Sequence, residues 1–114
     1  MSLAKRIADR QNAARRSIEV MEWGEDEGSP LTIHCGPLLA LEIEKIQRKH
    51  PNFFQQMSIQ GMVDLIILKA ENADGEKLFT LEDKPVLMRE EFTVIARVAG
   101  EMISATSAED HEKN

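Results

Sequence analysis

Cysteine, tryptophan and tyrosine are nearly missing from this 114-residue chain: Cys35 and Trp23 stand alone, and there is no tyrosine. A lone cysteine excludes an internal disulfide framework and suits a reducing compartment. Aromatics amount to 4% of the residues, four of them Phe, so an aromatic left outside the core would be conspicuous as a partner anchor. No apolar run approaches the ~18–20 residues that span a bilayer; the densest patch is Leu65-Ile66-Ile67-Leu68. Residues 1–16 have no apolar segment of the secretory kind. His34, His50 and His111 are too few and too scattered for a metal site of familiar spacing. Asn72, Asp74 and Gly75 imitate the middle of a calcium loop, but its end positions would be Ala70 and Leu81, which cannot ligate. No phosphate-cradling glycine motif and no local Ser-His-Asp arrangement is present. On these grounds the chain reads as a non-enzyme with no cofactor and no metal.

What remains is an ordinary globular composition, 42% hydrophobic and 30% charged, long enough for one domain with a real core. Charge is unevenly placed. Residues 1–16 hold five cations against Asp9 alone, +4 of a chain total of −6, so residues 17–114 carry −10. An acidic body argues against broad nucleic-acid binding, which draws on Lys and Arg. The basic segment reads as a solvated helix, able to touch an acidic neighbour or the chain's own body.

Periodicity predicts an α+β, mostly helical fold, with a small antiparallel β-hairpin near the N-terminus followed by four helices. Leu3, Ile7 and Ala14 give the basic segment 1–16 a thin apolar stripe. Residues 17–35 read as the hairpin: β-formers Ile18, Val20 and Trp23, an acidic loop over 24–30, then Leu31 to Cys35 in clean alternation. Glu25-Asp26-Glu27 in that loop reads as solvated charge. His34 and Cys35 are strand neighbours and so face opposite ways.

Helices follow from Pro37. Leu38 to Lys49 is amphipathic and closed by Pro51. Met57 to Glu71 is apolar on two faces, and so central in its domain or shared with a partner. Asp64 lies between those faces and needs solvent or a hydrogen bond. Asp74-Gly75 is a turn, Thr80 and Asp83 imitate a capping box, and Leu81 to Arg89 is a short helix. The last helix buries Phe92, Ile95, Val98, Ala99, Met102 and Ile103. The expected organisation is a basic arm over 1–16, a compact domain over 17–104 and a disordered tail over 105–114. An apolar patch of Leu65 and Leu68 with Phe53 or Phe54, and with Met57, is the expected surface for self-association or partner contact, the alternative being that one or both of Phe53 and Phe54 enter the core.

The order of these segments is informative. A hairpin strand closes in Val20-Met21-Glu22-Trp23-Gly24, and a long helical middle follows. Asp74-Gly75-Glu76-Lys77-Leu78-Phe79-Thr80-Leu81-Glu82-Asp83 comes next, then a helix with an Ala/Gly/Met face and the ending Glu109-Asp110-His111-Glu112-Lys113-Asn114. The chain thereby resembles the tail assembly chaperones of long-tailed bacteriophages and prophages, best from about residue 17 onward. That resemblance implies a non-enzymatic protein of the host bacterial cytoplasm. It would coat the tape measure protein, keep it soluble and help recruit tail tube subunits, self-associate, and be lost before the virion is finished. The rival expectation is a small phage structural or adaptor protein, a head–tail joining or tail component retained in the virion.

Overall fold

The computed structural model describes the backbone of residues 2–13, 15–25 and 28–112, and side chains over 2–10, 15–25 and 28–104. Asp26 and Glu27 of the acidic loop, and Ala14 of the first apolar stripe, lie outside the described residues. Helix α1 covers Leu3–Ala13, strands β1 and β2 cover Arg16–Val20 and Leu31–Cys35, and helices α2 to α5 follow. The two strands pair antiparallel with Ile18 opposite Ile33. Alternation places Ile18, Val20, Ile33 and Cys35 on one buried face. The first strand stops at Val20 because Met21–Trp23 coils into a 3-10 turn, which accounts for the lost alternation at Met21 and Glu22.

The hairpin does not stand alone. His34 exchanges backbone hydrogen bonds with Glu71, 2.8 and 2.9 Å, and Glu71 bridges to Lys77 beyond the turn at Gly75. Gly75 has φ +85°, the positive value that the Asp74-Gly75 turn requires. Asn72 Oδ1 accepts from the N–H groups of Asp74 and Glu76 and so holds that turn from inside.

Helix α2 spans Ala40–Lys49, starting three residues after Pro37, because Leu39 stays extended and the Glu42 carboxylate caps its N–H at 2.9 Å. Helix α3 spans Ile59–Lys69, shorter than the apolar pattern at both ends. Ser58 Oγ accepts from Gly61 N–H as its N-cap, and Ala70 and Glu71 leave the helix to reach β2. From Gly61 to Ile67 every residue of α3 is buried, so the two-faced helix is the centre of the domain. It packs chiefly on α5, then on α4 and α2. A 3-10 turn over Leu81–Asp83 leads into α4, Lys84–Met88, with Thr80 and Asp83 forming the capping box read from sequence.

Helix α5 spans Phe92–Glu112. It continues through 105–112, where a disordered tail was expected. Helix propagates into that range once the buried turns before it have nucleated it. Lys113 and Asn114 lie outside the described residues. Phe92, expected inside, is exposed, while Val94 is buried with Ile95, Val98, Ala99 and Met102. At 100° per residue Phe92 sits roughly 90° from the centre of that buried arc. Ile103 lies further still from that centre and is half-buried, so Phe92 owes its exposure to its place at the start of the helix.

Candidate functional site

The expected apolar patch does not form as one surface. Leu65 is fully buried, and Phe53 is 1% exposed. Leu65 corrects the expected patch, because α3 is enclosed over the turn that carries it; of the two phenylalanines it is Phe53 that enters the core, the chain folding it back onto Gly61, so it too leaves the patch. Phe54 and Met57 stay outside, Phe54 edge-on to Phe53 with ring centroids 4.9 Å apart. They precede the N-terminal end of α3, next to exposed Ile59. Leu68, half-buried, lies nine residues past Ile59, roughly 14 Å along the helix at its normal rise. The accessible members of the patch are thus divided between the two ends of α3.

Leu68 opens into a groove of about 480 Å³ beside α2. Ile46 from α2, Ile67 and Leu68 from α3, and Leu81 from the 3-10 turn form its apolar floor. Lys45, Arg48 and Lys49, on the C-terminal turns of α2, and Lys77 rim it. Cations suit that end of a helix, whose dipole is negative there. Arg48 is tied to Glu44 at 2.6 Å, and Lys77 contacts Glu71 at 3.5 Å. Lys45 and Lys49 are exposed, with no ion pair among the described residues.

Buried charge pins the groove's walls. Lys69, 8% exposed, reaches Glu42 at 2.8 Å and the Pro37 carbonyl at 3.0 Å, tying α3 to the start of α2. Asp64, facing the groove, accepts from His50 Nε2 at 2.8 Å through Oδ2. Lys84 Nζ sits 2.9 Å from Oδ1 as an ion-pair contact without an aligned hydrogen bond. Burial alone would raise the Asp64 pKa. The His50 bond and the Lys84 ammonium, aided by Lys49, outweigh it and hold the carboxyl below its ordinary value. Asp64 thus finds the partners that the sequence demanded, and its charge is answered from within the protein.

A second surface hollow of about 520 Å³ lies between the hairpin and α4, lined by Trp23, Leu31, Phe79, Val86 and Leu87 with Arg89 and Glu90. Trp23 meets Phe79 edge-on at 5.8 Å and donates its indole N–H to Glu90. Its polar groups are of both signs and partly engaged, whereas the rim beside α2 is of one sign.

Among the described residues no three His, Cys, Asp or Glu side chains come together to hold a metal ion. His34 and Cys35 do face opposite ways, Cys35 being buried and His34 half-buried. No helix among the described residues is long and apolar enough to cross a membrane.

Ile46, Ile67 and Leu81 were not foreseen as site residues. Lys45, Arg48 and Lys49 share one helix flank at i, i+3 and i+4, a readable signal. Lys77 and Leu81 come from a distant segment, and no spacing announces them. No family model matches the chain, and no curated protein and no solved structure is significantly similar to it.

Proposed function

We propose that this protein is a tail assembly chaperone of a long-tailed phage or prophage, acting in the host bacterial cytoplasm on the tape measure protein. The supporting observation is the pair of accessible apolar regions at the two ends of α3, on a chain of net charge −6. Phe54, Met57 and Ile59 are exposed at one end, and the groove floored by Leu68 lies at the other. A chaperone for a long helical client needs apolar contact area and a charge that keeps the assembly in solution. The resemblance in the order of segments along the chain is the second support for the reading. In this reading the protein makes and breaks no bonds, self-associates along the client, helps recruit tail tube subunits and leaves before the virion is complete.

Co-expression tests the reading. With this protein present, the tape measure protein of the same phage should remain in the supernatant after lysis. If it pellets equally with or without this protein, the reading fails. Protein analysis of purified virions should find this chain missing. Its stoichiometric presence there would make it a structural component instead.

A further inference from the structure

We propose that the groove between α2 and α3 is a docking site for an acidic-flanked amphipathic helix of another protein. The floor is apolar, and the rim side chains are Lys45, Arg48, Lys49 and Lys77, Arg48 paired with Glu44 and Lys77 with Glu71, on a protein whose net charge is negative. Asp64, the one carboxylate in the groove, is already matched by His50 and Lys84, so it does not offset the rim. Lys45 and Lys49 face solvent without an ion-pair contact among the described residues, Lys49 lending part of its field to Asp64. Apolar anchors between two acidic flanks complement this arrangement in both hydrophobicity and sign.

Neither β1 nor β2 lines the groove, whose walls are side chains of α2 and α3 with Lys77 and Leu81, so an occupant that satisfies its own backbone suits it. A helix meets that demand and presents anchors at i, i+3 or i+4 and i+7. The chain's own acidic end is a poor occupant: over 105–114 its only apolar residues are Ala105 and Ala108, too small to fill the floor. A virion adaptor would use the same groove as readily as a chaperone.

The probe is a stapled helical peptide with leucines at i, i+4 and i+7 and glutamates on both flanks, paired with a counterpart carrying lysines in place of the glutamates. Fluorescence anisotropy with the full chain at low salt should show the glutamate peptide bound on the order of tenfold more tightly, from several exposed ion pairs acting together. Added salt should erase that preference. Lys45→Glu with Lys49→Glu should reverse the order of the two peptides. Leu81→Ser, at a residue 68% exposed and outside the core, should weaken both peptides while circular dichroism stays unchanged.

Equal binding of the two peptides, no binding of either, or indifference to both sets of substitutions would overturn the proposal. So would a wild-type dimer that excludes the peptide and becomes monomeric with Leu81→Ser, since the occupant would then be a second copy.

Discussion

The ring of Phe53 rests against the α-carbon of Gly61. A β-carbon at position 61 would lie 2.5 Å from Phe53 Cδ1 and 2.8 Å from Cε1. Phe53 is enclosed and has little room to retreat. In a helix Ala is favoured over Gly by about 1 kcal/mol, but overpacking costs about 1–3 kcal/mol. Gly61→Ala should therefore destabilise the protein, by about 1 kcal/mol net, in urea denaturation. With Phe53→Leu in place, the same Gly61→Ala change should become neutral or stabilising. Two additive losses would show that the contact is not what matters.

Leu65 and Leu68 should part company on substitution. Leu65→Ala should cost about 2–5 kcal/mol, because it empties the middle of the core. Leu68→Ala, half in the groove, should cost less than about 1.5 kcal/mol. Replacing both with Asp would unfold the domain through position 65 and say nothing about surface contact. Leu68→Asp alone is the informative change, read by thermal melting and by peptide binding.

Asp64 links stability to pH. Its folded-state pKa lies below the ordinary carboxylate value. Its contribution is therefore present above that ordinary value and lost as pH falls through the depressed one. Denaturation curves taken from neutral pH down through the carboxylate range should show a steep acid loss that Asp64→Asn flattens. Glu22, held down by the hydrogen bonds of Arg97 in the open, has the same sign. Salt should remove its share and spare that of Asp64. Asp64→Ala should cost about 1–3 kcal/mol at neutral pH.

Cys35 should be silent in the native state. It is 1% exposed, and burial pushes its thiol pKa up against the opposing charge of Lys69. Its reaction with a thiol reagent should follow the rate of global unfolding and rise with denaturant. Rapid reaction without denaturant would show that the hairpin opens by itself.

Much of the architecture was legible because it rests on local rules. The alternation of Leu31, Ile33 and Cys35, the positive φ at Gly75 and the box between Thr80 and Asp83 are each set by residues within a few positions. The errors fell where a longer-range fact intervened. Phe92 fits the helical period of α5 but stands at the start of the helix, short of the stretch that is buried. Leu65 and Phe53 looked available because a two-faced helix can be central or shared, and periodicity alone does not distinguish the two.

The amino-acid order by itself determined the alternating strand Leu31–Cys35, the apolar helix α3 and the turn at Gly75, which depend on neighbours within a few positions, and the acid–base imbalance along the chain. Only tertiary packing decided that α3 is covered along its middle and accessible at its ends, and which cations gathered beside Leu68. Lys45 and Lys77 stand far apart in the chain and reach one groove through the docking of α2 on α3. That docking is held by Glu42 with Lys69 and by His50 with Asp64, pairs whose partners are too distant in sequence for any periodic pattern to connect them.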